Sequence, residues 1–253
     1  MILRYLLITA LRDKLFLAIV VGLLAIWLLA VFAGGTSVVE EGAAALAFAG
    51  FAARLLVVFG MVLFVSLQVR RLAESRELYM LLSKPLGRPA FVLATWAGFA
   101  IVSCILGLAA GLIVVLSGPA SIDPAGVAAW TAALTLEAVL MTAFALFLAL
   151  GLESPISSVI AALGFYILTR MLGVLLAITH SDLRPGGTFN AWVDGAVEVF
   201  ATVLPRLDLF APGAWLVHGA GDVAGLALLG AQGVAYTVIL LAATVFDFSR
   251  REF

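Results

Sequence analysis

The sequence predicts an all-α membrane protein with six transmembrane helices. Of its 253 residues, 64% are hydrophobic and only 11% are charged, and the mean hydropathy is +1.22. A soluble domain needs far more polar side chains than this to cover its surface. The apolar residues also fall into six runs, each near the roughly 20 residues that a helix needs to cross a bilayer.

The six spans form one transmembrane domain that occupies the whole chain, residues 1–253. They are predicted at residues 15–32, 47–69, 91–116, 127–150, 156–179 and 223–245. Residues 1–14 mix three basic side chains with apolar ones, which is typical of a helix lying at the membrane interface. In the third span, Gly107 and Gly111 stand four residues apart, a spacing that lets two helices pack closely.

The basic residues are distributed unevenly between the two sides of this layout. One side carries Arg4, Arg12, Lys14, Arg70, Arg71, Arg76, Lys84, Arg88, Arg250 and Arg251. The opposite side carries Arg184 and Arg206. Because cytoplasmic loops are enriched in Lys and Arg, the sequence predicts that both termini and the segment 70–91 face the cytoplasm.

The segment 70–91 is the one long charged stretch between two apolar runs. Its basic and acidic residues alternate with leucines at helical spacing, and Arg70 and Glu74 stand one helical turn apart. Pro85 then prevents the helix from continuing. The pattern indicates a short amphipathic helix followed by a break. A basic loop that only determines topology is the alternative.

The amino-acid sequence of this segment resembles that of the cytoplasmic segment of type-2 ABC export permeases, closest to the branch named for multi-copper-enzyme maturation. The resemblance is carried by Glu74, Arg76, Leu81, Leu82, Ser83, Lys84, Pro85 and Arg88. The stretch 204–210 with Trp215 and His218, and the ending 246–253, are similar to that branch as well.

The resemblance implies a cytoplasmic coupling helix between spans two and three that sits in a groove on a separate ATPase subunit. Its residues would be Arg70, Arg71, Glu74, Arg76, Glu77, Leu78, Leu81, Leu82, Lys84 and Pro85. It also implies a location in a bacterial inner membrane and a second permease copy, identical or a paralogue. Members of the branch act in the maturation of periplasmic enzymes, so a periplasmic protein is a further expected partner.

The common sequence motifs of ATP binding, metalloproteases and serine hydrolases are missing from this chain. There is no G-x-x-x-x-G-K-[ST] loop for ATP, no H-E-x-x-H and no G-x-S-x-G. The single cysteine, Cys104, and the two histidines, His180 and His218, are too scattered to predict a metal site. We therefore expect no enzymatic activity, cofactor or metal on this chain, and ATP with Mg²⁺ on the partner ATPase. We also expect contact with membrane lipids and none with nucleic acid.

Three charged residues lie within the spans: Arg54 in the second, Glu137 in the fourth and Arg170 in the fifth. Antiparallel neighbouring helices would bring Glu137 and Arg170 to a similar depth. Charges at that depth need a partner or a wet cavity. Either Glu137 and Arg170 form an ion pair that joins the two spans, or they line a pathway with Arg54 as a third member. Arg54 is close enough to the outer end of its span to reach the interface.

The segment between spans five and six carries apolar residues at helical spacing over residues 191–204, and Pro205 ends that helix. The pattern predicts short helices dipping into the outer leaflet, where tryptophan is favoured. In related export permeases this region is the extracellular gate, which here would use Phe200, Pro205, Leu207, Asp208, Phe210 and Trp215. An amphipathic loop resting on the bilayer is the alternative.

Together these features favour the permease subunit of an ATP-driven exporter. Two alternatives remain open. ATPase motion could be transmitted mechanically to a periplasmic partner without solute transport, or the chain could be an ATP-independent scaffold or secondary carrier. Carriers are often built from internal repeats, and no convincing repeat is visible in this sequence.

Overall fold

The computed structural model of the chain describes residues 9, 12–36, 41–74, 87–118, 122–179, 188–220 and 223–250. Within these ranges the chain forms eight α-helices and one 3-10 helix. The α-helices are α1 (Lys14–Thr36), α2 (Glu41–Glu74), α3 (Arg88–Ser117), α4 (Pro124–Gly151), α5 (Pro155–Thr179), α6 (Thr188–Val203), α7 (Ala214–His218) and α8 (Val223–Arg250). The 3-10 helix is Leu207–Leu209.

Six of these helices, α1 to α5 and α8, are long and apolar enough to cross a membrane. The described part of the chain is therefore all-helical and multi-pass, as the sequence predicts. The helices extend beyond the predicted spans, most clearly α2, which begins at Glu41 and ends at Glu74. A helix satisfies its own backbone hydrogen bonds, so it can continue past the hydrocarbon region into polar surroundings.

Local signals explain several helix ends. Asp123 caps α4, since its Oδ1 accepts from Ala125 N at 3.1 Å and its Oδ2 from Gly126 N at 3.0 Å. Pro124 then takes the first helical position, where a missing N–H costs nothing. Helix α6 shows a C-terminal signal: it ends at Val203, two residues before Pro205, because the residue preceding a proline is pushed out of the helical region.

Helices α2, α3 and α4 form the centre of the bundle, and α1, α5 and α8 lie around them. Of the residues in the most apolar stretch of each helix, 56%, 50% and 50% are buried in the central three, against 17%, 22% and 17% in the outer three. Large aromatic rings fill the centre: the Phe64 and Phe99 rings meet edge to face with centroids 5.8 Å apart. Spans that are buried by other spans are where polar side chains can persist.

The predicted close contact at Gly107 and Gly111 is confirmed between α3 and α4. A Cβ atom added at Gly107 would lie 2.3 Å from the Thr135 Oγ1, and one added at Gly111 would lie 2.4 Å from the Thr131 Oγ1. Without side chains at these two positions the helices approach closely and gain dispersion contacts. On the same interface the Ser103 and Thr142 hydroxyls are 2.8 Å apart and share a hydrogen bond.

Residues from several helices meet at one end of the bundle, which we name the basic end. Its contacts are the Arg71–Asp13 ion pair, the hydrogen bond from Arg70 Nη1 to the Glu153 carbonyl at 3.0 Å, and the one from Arg88 Nη1 to the Ser249 carbonyl at 2.8 Å. The stacked rings of Phe91 and Phe248 lie just inside them. The opposite end, which holds residues 188–220, is named the loop end.

Candidate functional site

The chain between α6 and α7 turns into the bundle at the loop end. Leu207, Phe210 and Ala211 are all 0% exposed, and Pro205 is buried too. We name residues 205–211 the inserted segment. A loop resting on a bilayer would leave its apolar side chains outside the protein, so the alternative of a surface loop is wrong for this part of the chain.

The residues predicted to form an outer gate fall into two groups. Pro205, Leu207, Asp208 and Phe210 belong to the inserted segment, and the half-buried Trp215 follows in α7. Phe200, by contrast, lies on α6 and is 53% exposed, like its neighbours Val199 and Val203. Helix α6 therefore has the exposed apolar face that the sequence predicts for a helix at the outer leaflet, while Pro205, Leu207 and Phe210 after it are buried.

Arg170 holds the inserted segment from α5. Its Nη1 donates to the Phe210 carbonyl at 2.8 Å and to the Leu207 carbonyl, and it lies 3.4 Å from the Glu137 Oε1. The structure thus brings Glu137 and Arg170 together, as the order of the helices predicts. The carbonyl oxygens are nevertheless the closer partners, so Arg170 joins the loop to the helices more than it joins α4 to α5.

Arg54 holds the same segment from α2. Its Nη1 donates to the Ala211 carbonyl at 2.8 Å, and the residue is buried, with 7% exposure. The expectation that Arg54 reaches the membrane interface is wrong. Its guanidinium turns inward because a buried carbonyl oxygen needs a donor, and a hydrogen bond from a charged donor is about twice as strong as a neutral one.

Ala211 adopts a backbone conformation that alanine rarely takes. Its φ is 43°, and among described residues other than glycine it is the one with positive φ. The left-handed region costs a non-glycine residue about 1–2 kcal/mol. Such strain persists where surrounding contacts hold the backbone, and the Arg54 bond to the Ala211 carbonyl is one of those contacts. Two arginines from two helices thus bind three carbonyls of one turn.

Glu137 lies at the middle of α4 and is 0% exposed. Its Oε1 has the long contact with Arg170, while its Oε2 has no hydrogen-bond partner within the described residues. Arg54 and Tyr166 lie near enough to interact with the carboxyl group, but the Tyr166 hydroxyl also makes no bond of good geometry. This carboxyl group is incompletely paired. A buried polar atom without a partner destabilises a fold, so it is found where it serves a function or where water fills the gap.

A second ion pair lies at the edge of the inserted segment. Arg206 Nη2 is 2.8 Å from Asp208 Oδ2, and the Asp208 side chain is mostly buried against α5. A Cβ atom at Gly173 would lie 2.5 Å from that same oxygen, so the carboxylate occupies the space that this glycine leaves open. The inserted segment is therefore attached to α5 by side chains as well as by its carbonyls.

Most of the residues assigned to the coupling helix lie outside the described residues: Arg76, Glu77, Leu78, Leu81, Leu82, Lys84 and Pro85. Arg70, Arg71 and Glu74 belong to the last turns of α2, and Arg70 and Arg71 make the contacts of the basic end. The coupling helix itself, like the interfacial helix predicted at residues 1–14, stays a prediction.

The stretch 204–210 was singled out from the sequence, but Ala211 and the three carbonyls that the arginines bind were not. Tyr166 was also missed, although it precedes Arg170 by four residues and so lies one turn away on the same helix face. No cluster of three or more metal-ligating side chains occurs among the residues described.

No family model matches the chain, and a search of the curated proteins found no match.

Proposed function

We propose that this chain is the membrane-spanning permease subunit of an ATP-binding-cassette transporter. A separate ATPase subunit hydrolyses ATP and docks on the segment 70–91 at the basic end, and the permease passes its motion to the inserted segment at the loop end. Two permease copies work together, and the basic end faces the cytoplasm of a bacterial cell.

One observation carries the proposal: a single helix connects the two sites. Helix α2 has 34 residues, or about 50 Å at 1.5 Å per residue. Arg70 and Arg71 lie near its last turn, where the segment 70–91 begins, and Arg54 lies more than four turns earlier on the same helix. Since Arg54 is bonded to Ala211, a shift of α2 along its axis acts directly on the inserted segment.

A rigid element joining two sites transmits motion only if one of the sites has two arrangements. The inserted segment is suited to this, because polar contacts to its backbone carbonyls hold it and one of its residues is strained. Its release breaks these hydrogen bonds and withdraws the Leu207 and Phe210 side chains from the core. In an exporter, that release opens a path at the loop end.

The test is whether an ATPase binds this chain through the segment 70–91. The tagged protein is purified from its native membrane after crosslinking, and the proteins bound to it are identified. We expect an ATPase with a Walker motif, lost from Glu74→Lys and Arg76→Glu variants that still insert in the membrane. Glu198→Lys, a charge reversal on the exposed face of α6, is the matched control and should retain the ATPase. Retention by all three variants would contradict the proposed coupling segment.

The mechanical alternative is supported by the exposed apolar face of α6, where Trp192 is 81% exposed. Movement of the adjoining inserted segment would be transmitted to a periplasmic protein bound to this face. The same crosslinking experiment separates the two, because a mechanical role predicts a periplasmic protein attached near Trp192. If the crosslinked chains include neither an ATPase nor a periplasmic protein, the result favours the scaffold or secondary carrier.

A further inference from the structure

A groove opens on the side of the bundle at the loop end, between α8 and the residues that follow α6. Its larger part has a volume of about 470 Å³ and lies between Asp208, Pro212 and Trp215 on one wall and α8 residues 225–232 on the other. A smaller part of about 180 Å³ lies deeper, against α4 residues 129–136. Both parts are lined by Trp215, Leu226 and Leu229, so we treat them as one feature and name it the side groove.

The side groove opens to the outside of the bundle. Besides residues 208–215, its walls are the first ten residues of α8 and the first half of α4, two helices that are apolar enough to cross a membrane. At its rim, Leu209 is 41% exposed and Leu228 is 73% exposed. Where such helices cross a bilayer, the molecules that surround them are lipids, whose acyl chains fill the hydrocarbon region.

The chemistry of the lining favours an apolar chain. Apart from Asp208 and Gln232, the side chains of the larger part are apolar, and the smaller part has only apolar and aromatic ones. Asp208 is already paired with Arg206, so its charge is balanced and attracts neither a cation nor an anion strongly. The larger volume is within the range of about 300–1,000 Å³ that is usual for ligand pockets. Left empty, the walls would lose dispersion contacts that an inserted chain restores.

We propose that the side groove binds one acyl chain of a membrane phospholipid. This inference goes beyond the proposed function, because occupancy of the groove requires neither an ATPase nor transport. It also connects to that function physically, since Asp208 and Phe210 of the inserted segment form part of the wall. Release of the inserted segment would change the shape of the groove and eject or admit the chain.

Two glycines in the walls allow the groove to be filled without disturbing the fold. A Cβ atom added at Gly225 or at Gly230 meets nothing within 4 Å. Because both glycines line the groove, we expect leucine at either position to fill part of it, and leucine also favours the helix more than glycine does. Gly164 on α5 is the matched control, because a Cβ there also meets nothing within 4 Å, yet the residue does not line the groove.

The experiment uses the full chain in nanodiscs that contain phosphatidylethanolamine with a photoactivatable diazirine in one acyl chain. After illumination, labelled peptides are mapped by mass spectrometry. We expect labels concentrated at residues 207–215 and 225–232. Gly225→Leu and Gly230→Leu should lower that labelling by roughly tenfold, because each displaces several CH₂ groups from the groove. Gly164→Leu should leave it unchanged.

Labels spread evenly over the exposed apolar faces, or equal labelling of all three variants and the wild type, would overturn the proposal. Crosslinks from the groove to a second copy of the chain in place of lipid would overturn it as well. The failure of ATPase binding in the experiment on the segment 70–91 would leave the expected labelling unaffected, so the two proposals fail separately.

Discussion

At the scale of single residues, the contacts of Arg170 decide what the charges within the spans do. The guanidinium is 3.4 Å from Glu137 but bonds the Phe210 carbonyl at 2.8 Å. An ion pair between α4 and α5 is therefore a secondary part of its role. The principal part is to satisfy backbone oxygens that the inserted segment buries and that no water reaches in a bilayer.

Replacement of Glu137 by glutamine should be milder than replacement by alanine. Glutamine keeps the volume and one oxygen that can accept from Arg170, so we expect a loss of about 1 kcal/mol or less in the free energy of unfolding. Alanine leaves a cavity and removes the countercharge, and we expect a loss of about 2 kcal/mol or more. Thermal unfolding in detergent measures both. Equal and negligible effects on stability and transport would mean that the pair serves neither structure nor function.

Replacement of Ala211 tests the strained turn. Glycine adopts positive φ freely, and this relief of about 1–2 kcal/mol offsets the loss of a methyl contact and the greater freedom of the unfolded chain. We expect stability within about 1 kcal/mol of the wild type for Ala211→Gly and a loss of about 2 kcal/mol or more for Ala211→Val. The same unfolding measurement applies. A stable valine variant would show that the turn is not strained in the folded protein.

At the scale of elements, the structure separates contacts that hold helices together from contacts that hold the inserted segment. Helices α3 and α4 meet along a stripe of glycine, serine and threonine, where backbone approaches backbone. The inserted segment is attached through its carbonyls to two arginines. The first kind of contact resists any change of spacing, and the second breaks and re-forms as hydrogen bonds do.

The α3–α4 contact should be sensitive to a single methyl group. A Cβ atom at Gly107 would lie 3.2 Å from the Thr135 Cα, a backbone atom that cannot rotate away. We expect Gly107→Ala to lower the free energy of unfolding by about 1–3 kcal/mol. Gly164→Ala is the control, because its Cβ meets nothing within 4 Å and alanine favours a helix, so no loss is expected. Similar unfolding temperatures for the two variants would contradict the tight contact.

The hydrogen bond from Arg54 to the Ala211 carbonyl should hold the inserted segment in its buried position. In a Cys104→Ser background, Phe210→Cys places a thiol at a position that is 0% exposed in the wild type. Adding Arg54→Met removes the donor to the Ala211 carbonyl, at a cost of about 1–2 kcal/mol, and should speed labelling of that thiol by a water-soluble maleimide by roughly tenfold. Arg250→Met, at the basic end, should leave the rate unchanged. An unchanged rate with Arg54→Met would mean that Arg54 does not hold the segment.

At the scale of the whole molecule, the six spanning helices place residues 13 and 249 at the same end, beside Arg71 and Arg88. The loop end carries α6, the inserted segment and the side groove. This division supports the proposed arrangement, in which the basic end receives force and the loop end changes shape. The contacts between the ends run through α2, α3 and α4, the three buried helices.

The orientation in the membrane is tested by labelling from one side. Cysteine replaces Phe253 in one variant and Glu198 in another, both in the Cys104→Ser background. Because basic residues collect on the cytoplasmic side, we expect a membrane-impermeant maleimide to label position 198 in intact spheroplasts and position 253 only after the membrane is opened. The reverse pattern would place the basic end outside the cell and would contradict the proposed docking of a cytoplasmic ATPase there.

Hydropathy alone was enough to predict six spans, because a bilayer sets the minimum length and polarity of every crossing helix. The Gly107 and Gly111 spacing likewise predicted a close helix contact, since small residues one turn apart always share a face. Glu137 and Arg170 could also be expected to meet, because they carry opposite charges at a similar depth in neighbouring spans.

The inserted segment was decided only by the tertiary structure. Arg54 turns inward rather than to the interface because the Ala211 carbonyl is buried beside it, and Arg170 prefers two carbonyls to the carboxylate of Glu137. Every residue has the same carbonyl group, so no pattern of residue types reveals which of these oxygens will be buried and in need of a donor. The side groove is likewise a space between α8 and a loop that are in contact only after the chain has folded.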